Sequence, residues 1–140
     1  MTDREFTVWA SERGVPIATT EAILRHAASP EEMQEAYDAM EPAPPVYTLA
    51  EIVEMADKDP YGISARANGF IVVGECPNGD PIAISLAYEL GTVWYICHET
   101  MHSEPLREVA VLVAKDLTEM LEGIADVNFP FDYFEARNRE

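Results

Sequence analysis

The residues whose types and spacing most clearly suggest chemistry are His98, Glu99 and His102, which read H-E-x-x-H. On an α-helix, histidines four positions apart share one face and can both bind zinc, while the glutamate activates the metal-bound water. The surrounding sequence indicates a different context. Residues 92–97 are β-branched and aromatic, which is typical of a strand, and Pro105 would end any helix soon after the motif. We therefore interpret the motif as a strand end that enters a loop, and we keep a zinc-dependent hydrolase as the alternative function.

Other catalytic patterns are missing from the sequence. There is no G-x-S-x-G nucleophile motif, no phosphate-binding G-x-x-x-x-G-K loop and no dinucleotide-binding G-x-G-x-x-G. Two neighbouring carboxylates could hydrolyse a glycoside, but in a chain with 26 acidic residues their proximity carries no information. We expect no catalytic residue, no metal ligand and no cofactor.

The charge of the chain is the stronger indication of function. Its 140 residues include 26 acids and 9 bases, for a formal net charge of −17. This balance argues against a nucleic-acid-binding module and against attraction to anionic membranes, and it permits a basic protein partner. Two helix faces are candidate partner-binding surfaces, and the alternative is that they are only solvated faces that keep the protein soluble. Their residues are Glu31, Glu35 and Asp38 on one helix and Glu51 and Glu54 on the next.

The elements that would position these residues begin with helices, in a chain whose length predicts a single domain over 1–140. A second helix is predicted to begin at Thr19 or Thr20. Ser29 and Pro30 supply an N-cap and a proline at the first helical position, and Thr48 with Glu51 forms a capping box. Residues 59–62 are predicted to close the helical half of the chain.

The second half is predicted to be mostly strands. Residues 70–73, 81–86, 92–97 and 109–114 have strand composition, and Asn78-Gly79 is a strong hairpin signal between the first two. Asp116 then caps a helix with apolar residues at helical spacing. The predicted fold class is α+β: N-terminal helices packed on one antiparallel sheet, a meander from about 69 to 114, followed by a C-terminal helix.

The cysteines and the absence of long apolar runs bear on location. Cys76 and Cys97 end the first and third predicted strands, which places them roughly 9–10 Å apart, too far for a disulfide. No apolar run approaches the roughly 20 residues of a membrane helix, and the first residues lack signal-peptide features. We expect two free thiols and a cytoplasmic protein.

The strand-rich half resembles the SUKH superfamily, which includes the Smi/Knr-type cell-wall assembly regulators and bacterial toxin-immunity domains. The resemblance lies in an apolar strand ending in glycine at 69–74, a turn containing Asn78, Gly79 and Asp80, and a strand end at 91–99 that contains His98 and Glu99. A helix from 116 to 121 stands where the family has its downstream helix. The match covers about half the chain.

The resemblance implies an α+β domain without catalytic residues. Many bacterial members of the superfamily are immunity proteins that bind and silence a toxin, often a nuclease, and others are interaction modules of regulators. An acidic chain suits such a partner, because a nuclease needs positive surface to hold phosphates. The expected function is therefore the binding and neutralisation of a basic toxin domain by a non-enzymatic protein.

Overall fold

The fold, given by a computed structural model that describes residues 1–139, consists of helices around one four-stranded sheet. The α+β class and the position of the sheet between N-terminal and C-terminal helices are confirmed. The elements are α1 (Asp3–Glu12), α2 (Ile17–His26), α3 (Pro30–Asp38), α4 (Leu49–Asp57), α5 (Pro60–Ala67), β1 (Phe70–Glu75), β2 (Pro81–Ser85), β3 (Val93–Ile96), a short 3-10 helix (Leu106–Val109), β4 (Ala110–Ala114), α6 (Leu117–Ile124) and α7 (Tyr133–Asn138).

The sheet is an antiparallel meander in the order β1-β2-β3-β4. Its register pairs Ile71 with Ile84 and Ala83 with Trp94. All five residues of β2 are buried, and β1 is buried up to Glu75, so both faces of these strands are covered. Helices α4 and α5 contact β1, while α6 and α7 contact β4. The apolar side chains of the helices and strands thus form one core around the sheet.

The helices begin where local capping signals are strong. The side chains of Ser29 and Thr48 each accept a hydrogen bond from the backbone N–H three residues later in the chain, and the glutamate at that position accepts one from the backbone N–H of the cap residue. Asp116 caps α6 in the same way through its own carboxylate. These contacts satisfy backbone donors that the first helical turn leaves free, which explains why the starts of α3, α4 and α6 were predictable.

Two predicted helix boundaries are wrong. Helix α2 begins at Ile17 instead of Thr19 or Thr20, because Pro16 occupies the cap position and both threonines lie buried inside the helix. Residues 59–62 do not close the helical half, because Asp59 accepts a hydrogen bond from the backbone of Tyr61 and starts α5. An aspartate followed by proline is compatible with either the end of one helix or the start of the next.

The last strand and the tail also differ from expectation. Val109 belongs to the 3-10 helix, so β4 begins at Ala110. A bulge between Val93 and Trp94 interrupts the pairing with β4, and Val113 is skipped in the register. The residues of β4 therefore do not alternate strictly between buried and exposed: Ala110 and Val111 are both buried, and Leu112 is exposed. Helix α7, which was not predicted, packs against β4.

The two cysteines are free and buried, as predicted. Burial raises the pKa of the Cys76 thiol, with nearby carboxylates adding to the effect, so this group stays protonated. Among residues 1–139 no helix is both long and apolar enough to cross a membrane.

Candidate functional site

An acidic groove lies between helices α4 and α5 and the end of strand β1. Its volume is about 420 Å³. Four carboxylates line it against a single base, so negative potential is concentrated in a concave surface, where it attracts cations. The residues lining this acidic groove are Tyr47, Glu51, Glu54, Met55, Lys58, Asp59, Pro60 and Glu75.

Helix α4 supplies the two carboxylates that the sequence analysis selected. Glu51 Oε1 accepts hydrogen bonds from Thr48 N at 3.1 Å and from Thr48 Oγ1 at 2.8 Å, so the capping box holds this carboxylate. Glu54 lies about one turn further along and is exposed. Within residues 1–139, Glu54 forms no side-chain hydrogen bond or ion pair. Of the two predicted residues, Glu54 is therefore the one whose carboxylate is available to bind a ligand.

The other two carboxylates come from positions that the sequence analysis did not select. Asp59 caps α5, accepting from Tyr61 N at 2.8 Å. Glu75 is the exposed last residue of β1, and its Oε2 accepts from the Tyr47 hydroxyl at 3.3 Å. Burial, and then the charge of Glu75, raise the pKa of Tyr47, so its hydroxyl remains a donor. A carboxylate paired with an aromatic ring is a suitable site for an arginine or lysine side chain.

A smaller hollow of about 220 Å³ adjoins the acidic groove and shares four of its lining residues, Tyr47, Met55, Asp59 and Glu75. Its further lining includes Tyr61 and His98. His98 is held by Asp80, whose Oδ1 lies 2.6 Å from His98 Nδ1 and accepts from His98 N at 3.1 Å. The groove and hollow together therefore bring two tyrosines and a histidine next to the carboxylates.

Asp80 is fully buried and is fully hydrogen-bonded. Besides His98, its carboxylate accepts from Asn78 Nδ2 at 2.8 Å and from Tyr133 N at 3.0 Å. Burial alone would raise the pKa of Asp80, but the hydrogen bonds from His98, Asn78 and Tyr133 outweigh it and lower the pKa below its ordinary value. Asp80 thus stays ionised and fixes the imidazole at the edge of the hollow.

An imidazole oriented by a buried aspartate is also the arrangement of a general base. In the part of the chain that the structure describes, no side-chain hydroxyl or thiol hydrogen-bonds to His98. The geometry therefore supplies an oriented imidazole beside an acidic groove.

The H-E-x-x-H residues lie in turns. Residues 93–96 are extended, as predicted, and residues 98–103 form turns that follow β3. His98 is bound to Asp80, while the ring of His102 packs on Tyr61 with centroids 4.4 Å apart. No group of three or more histidine, cysteine or acidic side chains that could hold a metal is found among the described residues. The two histidines thus have separate partners instead of sharing one helix face.

The predicted acidic face of α3 lies outside the groove. Glu31, Glu35 and Asp38 are all exposed, and none of them lines the acidic groove. Asp38 accepts a hydrogen bond from Gln34 within the helix. No residue of α3 is buried, and the apolar Tyr37 is 80% exposed. The structure therefore brings Glu51 and Glu54 together with Asp59 and Glu75, but not with the α3 acids.

Comparison of the chain with protein-family models, curated proteins and solved structures gives no significant match.

Proposed function

We propose that this chain is a non-enzymatic binding protein whose acidic groove receives basic side chains of a protein partner. The observation that carries the proposal is the set of four carboxylates, one of which (Glu75) accepts a hydrogen bond from Tyr47, in a groove that contains one lysine. The formal net charge of −17 supports it, because the field of the whole molecule would speed the approach of a basic protein.

The partner that we propose is a basic toxin domain, consistent with the resemblance to SUKH immunity proteins. A nuclease is the form of toxin that fits best, since its phosphate-binding surface must be positive. An acidic protein seated on that surface would exclude the nucleic acid and so silence the enzyme. A cytoplasmic location belongs to the same proposal and agrees with two free, buried thiols.

The test is the binding of a basic nuclease toxin domain to three double variants of this chain that carry the same change in charge. The groove variant carries Glu54→Lys and Glu75→Lys, the α3 variant carries Glu31→Lys and Glu35→Lys, and the control carries Glu104→Lys and Glu122→Lys. All six positions are exposed. We expect the groove variant to bind at least ten-fold more weakly, equivalent to about 1.4 kcal/mol, and to show a smaller dependence of the dissociation constant on salt.

The α3 and control variants report how specific the effect is. A loss of affinity in the α3 variant alone would show that the partner binds at α3 instead of the groove. An equal loss in all three would show that only the total charge matters, and unchanged binding of the groove variant would contradict the proposal.

A further inference from the structure

A second, apolar cavity of about 560 Å³ lies on the other side of Glu75. One wall is the extended proline-rich segment 42–45, and the sheet contributes Ile82 and Tyr95. The opposite side is formed by Ile124 at the end of α6 and by Phe131 in the loop before α7. This volume exceeds that of any single side chain and falls in the range of ligand sites.

Both walls of the apolar cavity are held in place by hydrogen bonds to the sheet. Glu75 N donates to Pro45 O at 3.2 Å, and Tyr47 N donates to Val73 O at 2.8 Å, which attaches the proline-rich wall to the edge of β1. The Tyr95 hydroxyl donates to Pro130 O at 2.9 Å and fixes the loop that carries Phe131. Prolines have restricted φ, so the wall loses little conformational freedom when a ligand binds.

The rim of the cavity is exposed and apolar, with Ile124 at 41% and Phe131 at 55% of full exposure. Large apolar side chains around an apolar hollow are typical of protein interaction sites, where a central pocket takes an anchor side chain. Glu75 lines both this cavity and the acidic groove. A ligand segment in the cavity would therefore place its neighbouring residues beside a carboxylate.

We propose that the apolar cavity is an anchor pocket for a basic protein partner. It receives one or two aromatic or branched aliphatic side chains from a segment whose adjacent arginine or lysine pairs with Glu75. This inference rests on the proposed function and names the kind of partner segment that the groove alone does not specify. The charges favour a basic occupant of the cavity. Glu75 repels an acidic segment, and binding of a second copy of this chain would bring together two molecules that each have a net charge of −17.

The first experiment uses three capped tetrapeptides as probes and follows binding by NMR of the intact protein. The peptides are acetyl-Arg-Leu-Phe-Arg-amide, acetyl-Arg-Ala-Ala-Arg-amide and acetyl-Glu-Leu-Phe-Glu-amide. We expect the first to shift the methyl resonances of Ile82 and Ile124 and to bind at least ten-fold more tightly than the alanine peptide. The acidic peptide should bind at least ten-fold more weakly than the first.

The outcomes separate this inference from the proposed function. If both basic peptides perturb Glu54 and Glu75 but neither shifts the cavity methyls, the anchor pocket is wrong and the acidic groove stands. If neither basic peptide perturbs the groove, the proposed function fails. Equal binding of the acidic and basic apolar peptides would contradict the pairing with Glu75.

The second experiment fills the cavity. Ala43 lies in the proline-rich wall and is exposed, so Ala43→Trp can place an indole in the cavity without disturbing the core. We expect this variant to bind the Arg-Leu-Phe-Arg peptide no better than the alanine peptide. The matched control, Ala67→Trp, changes an exposed alanine at the end of α5 and should retain the ten-fold preference. Full preference in a folded Ala43→Trp protein would overturn the proposal.

Discussion

At the scale of single residues, Asp80 is the buried charge at which three separate parts of the chain meet. Its carboxylate joins its own hairpin to His98 at the end of β3 and to Tyr133 at the start of α7. The sequence predicted the hairpin from Asn78-Gly79 but gave no sign of this role. Its two distant partners lie 18 and 53 residues away, and a pattern of neighbouring residues carries no information about contacts at that separation.

Replacement of Asp80 by asparagine should destabilise the protein by about 3 kcal/mol, because one partner of a buried, hydrogen-bonded charge is removed. The amide group would also direct its own donors at His98, Asn78 or the backbone of Tyr133. Urea denaturation of wild type and Asp80→Asn measures the difference at pH 7. Asp126→Asn is the control, since Asp126 is exposed and accepts one local hydrogen bond, and it should change stability by less than about 1 kcal/mol.

The same variant has an expected pH dependence. The pKa of Asp80 is lowered in the folded protein, so its stabilising effect is complete above the unfolded pKa of about 3.9 and is lost as the pH falls through the folded pKa. The gap in unfolding free energy between wild type and Asp80→Asn should therefore narrow as the pH falls below about 4. A gap that failed to narrow below about pH 4 would contradict this assignment.

At the scale of elements, the attachment of the proline-rich segment to β1 depends on Gly74. A Cβ at this position would lie 1.8 Å from the carbonyl oxygen of Pro45, where the Val46–Gly74 bridge brings the two backbones together. The three prolines in 42–45 disfavour a helix, and this segment has no regular secondary structure. Its pairing with the sheet edge was not predictable, because a lone glycine in a strand does not identify the backbone that approaches it.

Gly74→Ala should therefore cost about 2–3 kcal/mol, since the segment must move away from β1 and lose its hydrogen bonds to the strand. The expected observation is a lower urea midpoint together with faster amide hydrogen exchange at Tyr47 and Glu75. Gly91→Ala provides the comparison, because Gly91 has a φ of 84° with open space around it and should cost only about 1 kcal/mol of backbone strain. Equal losses in both variants would show that the close approach at Gly74 is unimportant.

At the scale of the whole molecule, the net charge was known from composition, but its distribution was not. The sequence places Glu51 and Glu54 on one helix face, and this is confirmed, because helical spacing is a local property. Asp59 joins them because it follows α4 closely in the chain, and Glu75 joins them because β1 packs against α4 and α5. The acids of α3 were selected by the same local rule, yet no packing brings them into the groove. Local sequence patterns therefore predicted which residues share a helix face. Tertiary contacts determined which of these acidic faces line the groove.

A molecule with 17 excess negative charges repels itself, and added salt should relieve this. The few ion pairs, such as Arg13 with Asp57, would be weakened by salt, but they are outnumbered by unpaired exposed acids. We expect the melting temperature to rise by several degrees between 20 and 500 mM sodium chloride, measured by circular dichroism. The triple variant Glu31→Gln, Glu35→Gln and Glu122→Gln removes three exposed charges outside the groove and should show a smaller rise. A melting temperature that falls with salt would mean that local ion pairs, and not self-repulsion, dominate the electrostatics of the fold.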